Sequence, residues 1–99
     1  EGLSAIFFGH AGDGNIHANI IKGDLSDDDW EVKLSHYLDQ LYALIAKVGG
    51  KPSAEHGIGI LKKPYFEKYI VKAELSTMKA IKKALDPENL LNPGKIFDL

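Results

Sequence analysis

Two short apolar runs around a glycine-rich link constrain this chain more than any other feature. Residues 4–8 and 16–21 are rich in β-branched and aromatic side chains, the composition of strands. Between them lies Gly9-His10-Ala11-Gly12-Asp13-Gly14-Asn15. Asp-Gly is favoured in a two-residue hairpin turn because both central residues need positive φ. With Asp13-Gly14 as that turn, the runs pair antiparallel. His10 then faces His17, and Phe8 faces Asn19 on the same side of the ribbon.

The rest of the chain reads mainly as helix. Ser26 is a good N-cap, followed by Asp27, Asp28 and Asp29, whose charges complement a helix N-terminus. Ser26 and Asp29 have capping-box spacing. Trp30, Leu34, Tyr37, Leu38, Leu41, Leu44, Ile45 and Val48 form one stripe at helical period, and Gly49-Gly50 supplies a left-handed stop. Residues 51–55 read as a short extended segment. A second helix is predicted over 61–71, with Pro64 tolerated in its first turn. A third is predicted over 74–85, with Leu75, Met78, Ile81 and Leu85 on one side and Asp86-Pro87 as its end. The tail holds Asn92-Pro93-Gly94-Lys95, a turn followed by an extended end. The order β-β-α-β-α-α predicts an α+β fold, a small antiparallel sheet with helices on one face. Three short strands make a thin sheet, so further strands are expected from a longer chain or from a partner.

Composition removes whole classes of function. Ninety-nine residues support one domain. The chain is 44% hydrophobic and 26% charged, as ordinary globular domains are. A net charge of −2 without a basic block argues against nucleic acid as a partner. The absence of cysteine excludes disulfides, thiolate metal sites and a cysteine nucleophile. No apolar run is long enough to span a bilayer, and no signal peptide is visible.

The residues that could carry chemistry are His10, His17, Glu55 and His56. Facing histidines on a hairpin have β-carbons roughly 5 Å apart, so both rings can reach one cation. A carboxylate from the next strand completes a two-histidine, one-carboxylate set that suits zinc, manganese or ferrous iron and leaves positions for substrate oxygens. The competing reading is polar residues on a solvated turn. His56 follows Glu55 directly and would point to the opposite face of an extended chain. That makes it a neighbouring acid or base rather than a fourth ligand. Gly12-Asp13-Gly14 lacks the Lys-Ser/Thr ending of a phosphate loop and leads into a strand, and Gly57-Ile58-Gly59 lacks the third glycine of a dinucleotide fingerprint. His36 reads as a surface helix residue. Lys62, Lys63, Lys79, Lys82 and Lys83 read as a solvated face.

Four ordered blocks then carry a resemblance over essentially the whole chain. They are Gly9-His10-Ala11-Gly12-Asp13-Gly14-Asn15-Ile16-His17, then Ser53-Ala54-Glu55-His56-Gly57-Ile58-Gly59, then residues 78–87 (MKAIKKALDP), and last Leu91-Asn92-Pro93-Gly94-Lys95. Together they resemble FAD-linked oxidases of the vanillyl-alcohol oxidase type. More narrowly, they resemble the C-terminal domain of the D-lactate dehydrogenase, glycolate oxidase and D-2-hydroxyglutarate dehydrogenase group. The resemblance implies a ferredoxin-like cap fragment over residues 1–99. It implies that His10, His17 and Glu55 bind a divalent metal, zinc or manganese first among them. It further implies that Asn19 contacts substrate, that His56 is the catalytic base beside substrate and flavin, and that Asn92 and Lys95 return toward FAD.

The same resemblance implies oxidation of a small D-2-hydroxy acid, of glycolate or D-lactate type, to the 2-oxo acid. The family places its FAD-binding domain, with basic substrate-binding residues, upstream of this one. The expectation is therefore a C-terminal piece of a larger enzyme, inactive alone, whose partners are that upstream domain, the hydroxy acid and an unidentified electron acceptor. The expected location is cytoplasmic, with peripheral membrane attachment through an acceptor complex left open. Two other readings stay in view: a stand-alone metal-binding or regulatory module without redox activity, and a metal-dependent hydrolase using Glu55 or His56 as base.

Overall fold

The computed structural model describes residues 3–99. Two strands, β1 (Ser4–His10) and β2 (Asn15–Ile21), are followed by α1 (Asp27–Lys47), α2 (Lys63–Tyr69) and α3 (Lys72–Leu85). This is a small α+β domain with a two-stranded antiparallel sheet. The chain divides inside α1 into two compact units, Glu1–Leu41 and Tyr42–Leu99.

The first unit contains the hairpin and the start of α1. Lys22 pairs with Asp27 where the chain leaves β2 for the helix. Ser26 caps α1 as predicted: its carbonyl accepts from the Trp30 N–H at 2.9 Å and its hydroxyl from the Asp29 N–H at 3.2 Å. None of the described residues in this unit is buried. Phe7 is 58% exposed and Ile16 71%. A lone two-stranded hairpin is marginal in water for this reason: it has no second layer against which to bury such side chains.

The second unit holds the core. Phe66, Ile70, Leu75 and Phe97 are buried together, and Ile58 packs against them. The end of α1 is a Schellman motif, with Gly49 N–H to Ala46 C=O at 3.1 Å and Gly50 N–H to Ile45 C=O at 2.8 Å. Gly49 sits at φ +80°, the left-handed conformation that motif requires.

Several expectations change here. Residues 51–55 form no strand, because Pro52 has no N–H to give to a ladder and removes the segment from regular pairing. The second helix begins at Lys63, after turns in which the Lys62 and Lys63 N–H groups reach back to Ile58 and Ile60. The third begins earlier than predicted, at Lys72, with Val71 as its extended N-cap. Of its predicted apolar side only Leu75 is buried, and Leu85 stays 81% exposed. Of the described α1 residues only Tyr42 is buried; it stacks on Tyr65 at 4.9 Å. Burial, reinforced by Tyr65, raises the Tyr42 pKa above its ordinary value.

Lysines predicted as solvated are partly structural. Lys63 donates to the Gly94 carbonyl at 2.9 Å and to Asp98 at 2.6 Å, because the tail folds back over α2. The predicted turn at residues 92–95 forms, with the Lys95 N–H on the Asn92 carbonyl at 3.3 Å. Its end is not extended: Ile96 takes φ +70°. A β-branched residue there costs about 1–3 kcal/mol. The Ile96 N–H donates to the Gly59 carbonyl at 2.8 Å, and burial of the next side chain, Phe97, contributes about 1.5–3 kcal/mol in return.

Candidate functional site

The hairpin register is displaced from the predicted one. The turn is a four-residue loop, not a two-residue one: Ala11–Asp13 form a short 3₁₀ turn and Gly14 is left-handed, its N–H on the Ala11 carbonyl at 3.2 Å. His10 therefore faces Asn15, Phe8 faces His17, and Ile6 faces Asn19. Gly9 is needed where the strands close on the loop. A Cβ at this position would sit 2.1 Å from the Asn15 carbonyl oxygen.

The displacement is two residues, so it preserves strand parity. His10, His17 and Asn19 remain on one face of the ribbon, as expected, but the two histidines become diagonal neighbours. Such neighbours lie roughly 7–8 Å apart, still within reach of long or aromatic side chains. Phe8, predicted to face Asn19, instead stacks on the His17 ring at 4.9 Å with planes 11° apart. The Phe-x-x-x-x-x-x-x-x-His spacing signals this contact only once the loop length is known.

Glu55 and His56 belong to the second unit, on the segment that replaces the expected strand. They were expected to point apart. The chain bends at this position, and the His56 Nε2 lies 3.3 Å from the Glu55 Oε1. Both side chains remain accessible, at 69% for His56 and 45% for Glu55. Glu55 also lines a cavity of about 530 Å³ with Ser53, Phe66, Ile70 and Met78. At its rim the Lys51 ammonium bridges both Glu74 carboxylate oxygens at 2.9 and 3.0 Å. The Ser53 hydroxyl is buried without a hydrogen-bond partner among the described residues.

Asn92 and Lys95 flank the tail turn. They line a smaller hollow of about 240 Å³ with Lys82, Asn89, Phe97 and Leu99. Asn92 is left-handed at φ +48°. Asp86, the helix stop of α3, is the polar centre of this region. It is 8% exposed. Its two oxygens accept from the Leu90 and Leu91 N–H groups, each at 2.9 Å, and it pairs with Lys82. The Lys82 ammonium and the two N–H groups hold its carboxyl down at about 2. The signals in sequence were an aspartate directly after a helix and before Pro87, and its place in the block of residues 78–87. His36 is on the helix surface as predicted, 3.2 Å from Gln40.

In donor chemistry the side chains fit a divalent cation. Imidazole nitrogens of the hairpin and an accessible carboxylate oxygen are nitrogen and oxygen donors that zinc and manganese accept. The tail offers an amide and an ammonium, the groups that suit the polar parts of a flavin cofactor.

These features define a class. The chain matches the family of FAD linked oxidases, C-terminal domain, over residues 1–96, and it belongs to that family. It is 43% identical over 93 residues to a D-2-hydroxyglutarate dehydrogenase of Stutzerimonas stutzeri, covering 93% of this chain and 20% of that protein. It is 39% identical over 95 residues to the glycolate oxidase subunit GlcD of Bacillus subtilis, covering 96% of this chain and 20% of that subunit. It is 37% identical over 89 residues to a D-lactate dehydrogenase of Anaerostipes hadrus, covering 90% of this chain and 19% of that enzyme. The chain thus spans about a fifth of the length of the curated relatives it matches. Among the described residues, no helix is long and apolar enough to cross a membrane.

Proposed function

We propose that residues 1–99 are the substrate- and metal-binding cap of an FAD-dependent oxidoreductase that converts a small D-2-hydroxy acid, of glycolate or D-lactate type, to its 2-oxo acid. The observation that carries this reading is the hairpin face shared by His10, His17 and Asn19, within a chain that matches the oxidase family along almost its whole length. That match also favours a redox role over a stand-alone metal module or a hydrolase.

His10, His17 and Glu55 would hold the cation, and Asn92 and Lys95 would approach the flavin from the tail. When bound, FAD supplies a two-electron acceptor, and the cation supplies positive charge for the substrate's carboxylate and hydroxyl oxygens. This chain's own residues bind, orient and move a proton. The Asn19 amide is a hydrogen-bond donor for a substrate oxygen on the histidine face. His56 accepts the hydroxyl proton, a task suited to imidazole. The Glu55 carboxylate at 3.3 Å orients that ring.

The test uses the flavoprotein that carries this chain. Dye reduction is followed with glycolate, D-lactate, L-lactate and D-2-hydroxyglutarate, each with and without a chelator. Rapid, chelator-sensitive reduction by one of the D-acids or by glycolate is expected. Reduction indifferent to chelator would remove the metal from the reading. No reduction by any of them, with flavin and metal bound, would sink the 2-hydroxy-acid assignment.

A further inference from the structure

We propose that Asp86 is a positioning residue, holding the tail that carries Asn92 and Lys95 in register with the loop that carries His56. This deepens the proposed function and rests on its assignment of those three residues.

A helix stop does not need this carboxylate. Pro87 already ends α3, because it lacks an N–H and disfavours helix in the residue before it. Asp86 instead reaches forward along the chain. Its oxygens take the Leu90 and Leu91 N–H groups at 2.9 Å each. Lys82, paired with Asp86, donates in turn to the Leu91 carbonyl at 2.6 Å. Leu91 is therefore gripped at both its N–H and its C=O, and the next residue is Asn92.

The turn is then tied at two further points. Lys63 donates to the Gly94 carbonyl at 2.9 Å, and the Ile96 N–H donates to the Gly59 carbonyl at 2.8 Å. Gly59 lies on the loop that begins at Glu55-His56, and Ile58 of that loop packs against the core that contains Phe97. Two non-glycine residues between these ties are held at positive φ, Asn92 at +48° and the β-branched Ile96 at +70°. Such conformations persist only where their surroundings over-determine them. The ties at Leu91, Gly94 and Ile96 supply that constraint. Asp86 suits the first of them because a carboxylate accepts on both oxygens, whereas an asparagine side chain accepts on one.

The test compares the wild-type flavoprotein with Asp86→Asn, at temperatures well below both melting points. Hydrogen exchange is read by peptide, together with tryptic cleavage after Lys95. Faster exchange is expected over residues 92–97, including the Ile96 amide, as well as at Leu90 and Leu91. The bound flavin's absorption should shift, and its reduction at saturating hydroxy acid should slow about tenfold with substrate affinity little changed. Faster exchange confined to Leu90 and Leu91, with an unaltered flavin spectrum and reduction rate, would overturn the proposal and leave only a local clamp. If Asp86→Asn fails to fold, Lys82→Met removes the ammonium from the same cluster and keeps the aliphatic stem. The same spread of exchange to Ile96 is expected from it, and its absence would overturn the proposal. A wild-type protein that no hydroxy acid reduces would refute the functional reading, and with it the catalytic part of this inference. The exchange result would still decide whether Asp86 holds the tail.

Discussion

The His17 imidazole lies flat against the Phe8 ring, with centroids 4.9 Å apart and planes 11° from parallel. The four-residue hairpin loop creates this contact, because it puts Phe8 rather than His10 across from His17. The stack limits the rotamers of a proposed metal ligand. Offset aromatic pairs contribute about 0.5–1.5 kcal/mol. Phe8→Leu should therefore weaken zinc or manganese binding by about 2- to 10-fold, read by calorimetric titration of the metal-free flavoprotein. Unchanged affinity would show that the stack does not orient the ligand.

Removal of either imidazole should be more severe. His10→Ala or His17→Ala is expected to lower metal affinity and turnover together by about 10- to 100-fold or more, while the flavin stays bound. Metal content by elemental analysis and flavin content by absorbance separate the two effects. Full metal and full rate in both variants would refute the ligand assignment.

His56→Ala addresses a different step. Loss of a general base lowers rate by about 10²–10⁴-fold. Flavin reduction in rapid mixing should slow by that order, with substrate dissociation constants changed far less. Normal reduction would exclude His56 as the proton acceptor.

Gly9 tests the hairpin itself. A Cβ there would overlap the Asn15 carbonyl oxygen at 2.1 Å, so Gly9→Ala must move the backbone. Overpacking of this kind costs about 1–3 kcal/mol. The expected result is weakened cross-strand exchange protection in β1 and β2 and lower metal affinity. Wild-type behaviour in both would mean that the strands close differently around the loop.

Asp86 predicts a pH dependence of stability. Its folded-state carboxyl titrates at about 2 against an ordinary 3.8, because Lys82 and two backbone N–H groups favour the charged form. A depressed pKa gives stability that is present in full above the unfolded value and is lost as pH falls through the folded one. The melting temperature of wild type relative to Asp86→Asn should hold its difference above about pH 4, then narrow toward pH 2. A difference independent of pH across that interval would show that the charge of Asp86 does not stabilise the fold.

What the sequence determined by itself is local or periodic. The Ser26 cap and the Gly49-Gly50 stop are satisfied by atoms a few residues away, so their residue types suffice to place both ends of α1. The shared face of His10, His17 and Asn19 was also legible, because a strand alternates with period two and a register error of two leaves every side chain on its own face. The register itself was not legible: Asp-Gly suits a tight turn, but three glycines in this link equally permit the wider loop that formed.

Tertiary structure decided the rest. The segment at residues 51–55 reads as extended, yet it joins no sheet among the described residues, and the chain bends there so that His56 meets Glu55. Asp86 clamps Leu90 and Leu91 locally, but the turn beyond them is held by Lys63, distant in sequence, on the Gly94 carbonyl. Ile96 accepts a left-handed backbone because Gly59, distant in sequence, receives its N–H and the core receives Phe97. The Ile96 tie and the burial of Phe97 depend on partners that meet only after folding, and no periodicity encodes a contact of that kind.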